Sequence, residues 1–413
     1  MSEVATREPQ LRFPEFSDSL IKGALGDYAL IKRGAGSQYI EYSKDSKDSI
    51  RLIRIGDFLG GDAVFVRLTN AIQRFLLDEG DILIAGTGAT AGITFLVPTK
   101  FVGMAYSYNA PKIKVHKDNV SFFYQYLISP KIKIQQIRLF TGNAQPFLDT
   151  NAIKGFSIFK PPLQEQQKIA AFLAAVDSKI EQLSKKQALL GEYKKGLMQQ
   201  IFSQAIRFKA DDGSDFPDWE EVKLGNIGEF KTSSVDKKIV EGQKLIQLVN
   251  YMNVYKHENI KNNSTKDLMI VSANETQLNA SDLKKGDILF TPSSETPDDI
   301  GHSVVIFEDL MDTLYSYHLM RFRPKVQLDI LYSHYFCNIP DVLRQISRVA
   351  TGSTRFTISV GEFSKIQINL PSLLEQTKIA NFLSAIDNKI EKVGKQLVES
   401  KQFKKALLQQ MFV

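Results

Sequence analysis

Two long stretches of this sequence are near copies of each other. Residues 161–181 read PPLQEQQKIAAFLAAVDSKIE, and residues 371–391, which lie 210 positions further along, read PSLLEQTKIANFLSAIDNKIE, with 14 of the 21 positions identical. A second match follows in the same register, between residues 194–202 and residues 404–412. Because this period is far longer than that of a solenoid repeat, it indicates a duplicated domain.

Each copy carries apolar residues at alternating steps of four and three, which is the seam of a coiled coil. Prolines 161, 162 and 371 stand just upstream, where a helix can begin without losing a hydrogen bond. At a rise of about 1.5 Å per residue, each stretch gives a rod of roughly 55–60 Å. The seam positions include Ile169, Leu173, Ile180, Leu197, Ile379, Leu383, Ile390 and Leu407.

The segments outside these helices contain short β-like runs broken by Gly, Asn and Asp, as in a turn-rich, mainly antiparallel sheet. Both segments carry the same three motifs in the same order. These are Phe-Pro at 13 and 216, Gly-Asp-Ile-Leu at 80 and 286, and Thr-Gly at 141 and 351. The sequence predicts a duplicated α+β protein with pseudo-twofold symmetry. Its predicted parts are domains 1–160 and 205–370 and helices 161–204 and 371–413.

Connectivity predicts how the helices pair. The first helix carries the chain from the first domain to the second, and the second helix leaves the far end of that second domain. We therefore expect two antiparallel helices with one globular domain at each end. If the helices are centred on each other, Lys194 lies near Asp387, and Lys404 lies near Asp177.

Composition narrows the class of protein. A net charge of +6 and a pI near 9.0 favour a polyanionic partner, although the excess is small for 413 residues. The N-terminus lacks the basic start and apolar run of a signal peptide, so we expect a soluble cytoplasmic protein. Cys337 stands alone, which excludes an intrachain disulfide. The five histidines have no ligand spacing, so we expect no metal site.

The sequence contains no complete enzyme signature among those that its residues suggest. Residues 86–91 fit the loose GxGxxA pattern of a dinucleotide loop, but they run into a second strand-like segment instead of opening a helix. No Walker A string occurs, and neither do the AdoMet and Asn-Pro-Pro-aromatic motifs of an amino-methyltransferase. We therefore expect no catalytic residue in this chain.

Two loops at equivalent places combine a glycine turn with polar side chains, as Thr-Gly-Asn-Ala-Gln at 141–145 and Thr-Gly-Ser-Thr-Arg at 351–355. Arg suits guanine, and Asn or Gln suits adenine, so these loops can read base edges; ordinary turn chemistry is the alternative. Arg138 and Arg348 stand three residues before each threonine and suit phosphate contacts. The candidate base readers are Asn143, Gln145, Ser353, Thr354 and Arg355.

Taken together, these motifs resemble those of the DNA-specificity subunits of type I restriction-modification systems. The similarity covers nearly the whole chain, with a target-recognition domain before each long helix. Both helices open with a pattern of the form Leu-x-Glu-Gln-x-x-Ile-Ala-x-x-Leu. One departure lies after Gly-Asp-Ile-Leu, where relatives often carry Arg-Thr-Gly and this chain has Ala-Gly-Thr-Gly at 85–88.

The resemblance implies a non-catalytic subunit that reads a bipartite DNA target, one half-site per recognition domain. The helices would set the spacing and dock two methyltransferase subunits, with the seam positions above as spacer and docking positions. Those partners would bind AdoMet and methylate adenine N6, and restriction subunits would bind ATP and Mg. This chain would hold no cofactor. The fidelity of the repeat would then reflect two similar docking faces.

The resemblance also places sequence readout in six loops, at 30–60, 85–92 and 141–145 and at 231–266, 291–302 and 351–355. They add Lys32, Arg33, Ser293, Ser294 and His302 to the candidate DNA contacts. A scaffold whose end domains bind proteins is the alternative from another class, and an enzyme acting alone on nucleic acid is opposed by the missing motifs. A steep salt dependence of duplex binding would separate the reader from the scaffold.

Overall fold

A computed structural model describes residues 8–43, 48–140, 146–258, 260–262 and 265–413. Contacts divide the chain into two units. Unit 1 comprises Met1–Lys185 and Gly394–Val413, and unit 2 comprises Lys186–Val393. Each unit therefore contains one end of each long helix.

The strands of unit 1 are β1 (Ile21–Ala24), β2 (Ala29–Lys32), β3 (Ser49–Ile53), β4 (Phe65–Arg67), β5 (Ile82–Ile84), β6 (Thr94–Leu96), β7 (Ala105–Tyr106), β8 (Lys112–Val115) and β9 (Ser157–Lys160). Its helices are α1 (Leu25–Tyr28), α2 (Val120–Leu127), α3 (Pro130–Leu139), α4 (Thr150–Lys154) and the first part of α5 (Leu163–Phe202). Short 3-10 turns occur at Ser37–Tyr39, Ile55–Phe58, Ile72–Phe75 and Thr99–Phe101.

The strands of unit 2 are β10 (Glu220–Lys223), β11 (Gly228–Thr232), β12 (Lys244–Val249), β13 (Met269–Ala273), β14 (Asp282–Leu283), β15 (Ile288–Phe290), β16 (Ser293–Ser294), β17 (Ser303–Val305), β18 (Leu310–Tyr315), β19 (Met320–Pro324), β20 (Phe356–Thr357) and β21 (Gln367–Leu370). Its helices are α6 (Leu224–Ile227), α7 (Tyr251–Tyr255), α8 (Glu275–Ala280), α9 (Ile330–Phe336), α10 (Pro340–Val349), α11 (Val360–Lys365) and the first part of α12 (Leu373–Gln410). The 3-10 turns are Thr265–Asp267 and Pro297–Asp299.

The two units repeat one sheet plan. The antiparallel order β2-β8-β5-β6 of unit 1 matches β11-β19-β15-β17 of unit 2. The order β4-β3-β7 matches β13-β12-β18, and the pairs β3–β7 and β12–β18 are parallel. The pair β1–β9 likewise matches β10–β21, just before each long helix. The predicted duplicated α+β fold is confirmed.

The Gly-Asp-Ile-Leu motif builds the same turn in both units. Gly80 and Gly286 have φ values of +79° and +90°, a conformation that glycine adopts without steric cost. The buried Asp81 carboxylate accepts the backbone N–H of Asp78 at 2.7 Å, and Asp287 repeats this contact at 2.7 Å. The motif is thus a structural turn that leads into a buried central strand.

The two long helices pair antiparallel. In unit 1, Lys404 Nζ lies 2.5 Å from an Asp177 oxygen, and in unit 2, Lys194 Nζ lies 2.6 Å from an Asp387 oxygen. Both predicted seam pairs are confirmed, and they occur in opposite order along α5 and α12. Antiparallel pairing follows.

The seam side chains serve the cores of the two units. Ile169, Leu173 and Leu407 are buried in unit 1, and Ile379 and Leu383 are buried in unit 2. Half-buried seam positions are Ile180, Leu197 and Ile390. The fully buried positions have little surface for a partner, and the docking role predicted for the seam stays a prediction.

The polar residues that open each helix anchor it to its own domain. Buried Glu165 accepts two hydrogen bonds of 2.8 Å from the Arg12 guanidinium. Its counterpart Glu375 accepts bonds of 3.3 and 3.0 Å from Arg207 and one of 2.9 Å from the Trp219 indole. The arginine was not recognised in the sequence, although an Arg-Phe dipeptide at 12 and 207 marks it.

The next residue of each copy holds the end of a domain helix. Gln166 accepts the backbone N–H of Asn119, the residue that caps α2, at 3.0 Å. Gln376 accepts the backbone N–H of Asp329, which caps α9, at 3.0 Å. Part of the repeat's identity is thus explained by contacts within each unit.

Candidate DNA interface

Two predicted reading loops of unit 2 form one surface. Strand β16, in the loop after β15, pairs with β20, which directly follows residues 351–355. Thr351 and Thr357 exchange backbone hydrogen bonds of 3.0 and 2.9 Å that close this turn. Gly352 has φ +149°, and a Cβ there would lie 2.0 Å from the Arg355 carbonyl oxygen, so the turn requires glycine.

The side chains of this surface divide into exposed and supporting groups. Ser353, Thr354 and Arg355 are exposed. Ser293 and Ser294 are only 8% and 7% exposed, and Arg355 donates to the Ser293 hydroxyl at 3.2 Å. This burial suits the two serines to holding the loops together, and the base contacts predicted for them stay a prediction.

His302 also supports the loop. One ring nitrogen lies 3.2 Å from His257 Nε2 and the other lies 2.9 Å from the Asp299 carboxylate. Tyr255 stacks beside the ring, at 4.6 Å between centroids, and donates to the same carboxylate at 3.1 Å. Both ring nitrogens are thus occupied, and the base contact predicted for His302 stays a prediction.

Basic side chains lie near these loops. Arg348 is exposed at the last turn of α10, directly before residues 351–355. Burial, reinforced by the charges of Lys237 and Arg355, lowers the pKa of His318 below its usual value. Such basic groups can attract an anion, although loop 291–302 itself carries three acidic residues.

In unit 1 the equivalent loops also meet. Thr87 forms a β-bridge with Phe147, and the Gly88 N–H donates to the Pro146 carbonyl at 3.0 Å. Arg138 is exposed at the last turn of α3. The predicted readers Asn143 and Gln145 lie outside the described residues.

The basic pair after β2 flanks the same region. Lys32 is exposed, whereas the Arg33 guanidinium lies over two aromatic rings, 4.5 Å from the centre of Tyr108 and 5.4 Å from that of Phe147. Stacking on aromatic faces fixes the direction of a guanidinium and leaves its N–H groups available. Arg33 is thus a preoriented cation.

A groove of about 630 Å³ opens beside the stacked Arg33 guanidinium. Polar side chains from four loops line it, namely Ser37, Gln38, Tyr42, Arg54, Thr87, Thr90, Ser107, Tyr108 and Asn109. Gln38 and Asn109 are exposed. Asn109 was not recognised in the sequence, although the polar turn between β7 and β8 could have indicated it.

Arginine, amide and hydroxyl groups on a concave surface can bind phosphates and the hydrogen-bonding edges of bases. Among the described residues, no three His, Cys, Asp or Glu side chains are placed to hold a metal ion. Within that same part of the chain, every helix is too short or too polar to cross a membrane.

Comparisons with known proteins agree with this geometry. The family described as "Type I restriction modification DNA specificity domain" matches residues 24–190 and 217–400. The chain is 26% identical over 356 residues to the type I restriction enzyme MjaVIII specificity subunit of Methanocaldococcus jannaschii, covering 83% of this chain and 80% of that protein. The putative MjaX specificity subunit of the same organism is 24% identical over 359 residues, covering 82% and 78%.

Solved structures share the fold. The S subunit of a type I restriction-modification system from M. genitalium superposes with a TM-score of 0.57 at 15% identity, over 98% of this chain and 99% of that chain. A chain from a study of complex assembly and conformational transition of the type I R-M system gives a TM-score of 0.59 at 18% identity, over 94% and 96%. With two matches to the family covering most of its length, this chain belongs to the type I restriction-modification specificity subunits and carries two DNA-recognition domains.

Proposed function

We propose that the chain reads a bipartite DNA target, one half-site per unit, and thereby directs N6-adenine methylation and restriction by its partners. One observation carries the proposal. The two units repeat one sheet order, but different side chains occupy the loops at equivalent places. One scaffold that presents two different surfaces suits two different half-sites.

In unit 1 we assign adenine recognition to Gln38 and Asn109. Each amide can donate to adenine N7 and accept from its N6, a pairing worth about 1–3 kcal/mol of discrimination. The groove that they line is bordered by the stacked Arg33 guanidinium, whose N–H groups suit guanine or phosphate. Exposed Lys32 and Arg138 supply further phosphate contacts.

In unit 2 we assign base recognition to Arg355, with Ser353 and Thr354 beside it. The 3.2 Å bond to Ser293 orients the arginine, and its remaining N–H groups suit guanine O6 and N7. Arg348 contacts phosphate and so contributes affinity without sequence information.

The two helices set the distance between the half-sites and dock two methyltransferase subunits. Tyr193 and Phe403 occupy equivalent positions of the repeat, and they are 56% and 53% exposed. Paired exposed aromatic residues suit two copies of one partner. AdoMet, ATP and Mg are supplied by the methyltransferase and restriction subunits.

The first test is to map methylated adenines in DNA from cells that carry this chain and its methyltransferase partner. We expect a split motif with a fixed gap, and Gln38→Ala with Asn109→Ala should relax one half of it only. The exposed helix variant Lys179→Ala is the matched control and should leave the motif unchanged. A continuous motif, or relaxation of both halves together, would contradict the assignment.

The second test changes the helices. Deleting one heptad from both helices, in register, should change the gap and leave both half-site sequences unchanged. Binding of the complex to random duplex at two salt concentrations separates a DNA reader from a protein scaffold, because phosphate contacts give a steep salt dependence. Methylation at the original gap would rule out the ruler, and salt-independent binding would favour the scaffold.

A further inference from the structure

We propose that His257 and His302 of unit 2 together carry one hydrogen more than two neutral imidazoles, so that the pair has a charge of +1. This charged pair, which is hydrogen-bonded to Asp299, positions loop 291–302 for reading DNA. The proton count stands on the structure alone, whereas its use in DNA reading rests on the function proposed above. The pair thus holds in place the loop that reads the second half-site.

The side chains form one continuous chain of hydrogen bonds. His257 Nδ1 lies 3.0 Å from the Ser303 carbonyl oxygen, and His257 Nε2 lies 3.2 Å from His302 Nδ1. His302 Nε2 lies 2.9 Å from Asp299 Oδ1, while Tyr255 donates to Asp299 Oδ2 at 3.1 Å. Every ring nitrogen of the pair thus has a partner.

Counting donors gives the charge. A carbonyl oxygen only accepts, so His257 Nδ1 must carry a hydrogen. An ionised carboxylate also only accepts, so His302 Nε2 must carry a second one. The bond between the two rings needs a third hydrogen, on one ring or the other. Two neutral imidazoles have two N–H hydrogens, and the pair therefore holds one more and a charge of +1.

The alternative place for the extra proton is the Asp299 carboxyl group. That side chain is 46% exposed, and its other oxygen already accepts the Tyr255 hydroxyl. The hydrogen bond to Asp299 raises the pKa of Tyr255, which keeps the phenol protonated as a donor. The charged His pair with an ionised Asp299 is consistent with every one of these contacts.

Three elements place titratable groups against the pair, namely Asp299 on the loop, Tyr255 on α7 and His334 on α9. Burial is the main cause that lowers the pKa of His334, and the neighbouring His257 acts in the same direction. His334 therefore takes up a proton less readily than an ordinary histidine. Asp299 is the counter-ion that balances the charged pair.

The backbone at His257 is held in an unusual conformation. Its φ of +53° lies in the left-handed region, which few residues other than glycine adopt. Lys256 and Glu258 flank it and are exposed, and the Asn253 amide donates to the Glu258 carboxylate at 2.6 Å. A conformation of this cost persists where surrounding contacts fix it.

The histidine pair connects directly to the reading surface. Tyr251, which stacks on Tyr255 with ring centres 5.8 Å apart, donates to the Ser293 carbonyl at 3.0 Å. Ser293 in turn accepts from Arg355, the proposed base reader. Without the extra hydrogen, either the bond between the two rings or the bond from His302 to Asp299 is lost. Loop 291–302 then loses one of the contacts that connect it to the segment just after α7. His116 is the one histidine of unit 1, which makes the first half-site an internal control.

The proton count is tested by nitrogen NMR of the full chain with 15N-labelled histidine, with His257→Gln and His302→Gln giving the assignments. At pH 6.5 we expect three N–H hydrogens across the two rings, and Asp299→Ala, which removes the acceptor at His302 Nε2, should reduce them to two. Two N–H hydrogens in the parent protein, or no response to Asp299→Ala, would overturn the proposal. This readout needs no DNA and stands apart from the proposed function.

The positioning role is tested by DNA binding of the assembled complex at pH 6.5. Discrimination at the second half-site should fall about tenfold in His302→Gln, the size expected for one charge-assisted hydrogen bond. His116→Gln is the matched control and should leave both half-sites unchanged. An equal loss at both half-sites in His302→Gln, or no loss at the second, would overturn the role, and failure of the parent complex to bind DNA would refute the proposed function instead.

Discussion

The two units are alike where they meet the helices and different where they present loops. Glu165 and Glu375 each bind an arginine, and the glutamine after each of them accepts the N–H of the residue that caps a domain helix. At the loop end, unit 1 has a groove lined with amides beside a stacked arginine, and unit 2 has a network of tyrosine, histidine and aspartate. The duplicated part of the sequence holds each domain in place, and the diverged part forms the surfaces to which we assign recognition.

This difference changes how the repeat is interpreted. Its fidelity pointed to two similar docking faces, yet the repeated Glu-Gln pair is buried in contacts within each unit. The docking proposed above therefore uses exposed positions such as Tyr193 and Phe403, where the copies keep an aromatic character but not the identity.

The largest effect is expected at the repeated glutamates. Replacing Glu375 by Ala leaves Arg207 and Trp219 without their acceptor, and Glu165→Ala does the same to Arg12. Breaking a buried ion pair costs about 3–5 kcal/mol of the free energy of unfolding. Hydrogen exchange should show the loss in unit 2 for the first variant and in unit 1 for the second. Equal destabilisation of both units by either variant would contradict separate anchors.

The next effect concerns recognition. Arg33→Ala should weaken discrimination at the first half-site, and Arg355→Ala at the second, each by about 1–3 kcal/mol. Competition binding with duplexes that vary one half-site at a time measures both. Arg344→Ala, an exposed position on α10, is the matched control for the second variant. Weakening at both half-sites by one variant would break the assignment of one half-site to each unit.

A smaller effect depends on acid. Burial acts to raise the pKa of Asp282, but Arg323 and Arg321 outweigh it and hold this pKa below its usual value of 3.8. The stabilisation is therefore present above pH 4 and is lost as pH falls through the lower pKa of the folded state. Asp282→Asn should flatten the acid side of the stability profile of unit 2 by about 1 kcal/mol or less and leave unit 1 unchanged. A profile in urea from pH 2 to pH 7 measures it.

The smallest effect is expected in the seam. Lys404→Met and Lys194→Met each remove a partly exposed ion pair, worth about 0.2–1 kcal/mol. Their partners Asp177 and Asp387 keep a second donor, since Gln125 and Tyr335 bond them at 2.8 and 2.7 Å. Double-mutant cycles in urea should give similar small coupling energies for the two pairs. A coupling above about 2 kcal/mol at one pair alone would show that the two ends of the seam are unequal.

The sequence by itself determined the duplicated architecture, the antiparallel seam and its two lysine–aspartate pairs. Periodicity of apolar residues and the order of the segments are local properties of the chain, and they suffice to fix which helix faces meet. The family followed for the same reason, because its motifs lie in these repeated segments.

Only the tertiary structure decided which polar residues are exposed and which are held by distant partners. Ser293 and His302 have the same chemistry in the sequence as an exposed polar residue, but burial of the first and the His257 contact of the second tie them to other segments. Asn109 carries no motif, and it reaches the groove because four separate loops meet there. Contacts between residues far apart in sequence depend on how strands and loops pack, which no local pattern encodes.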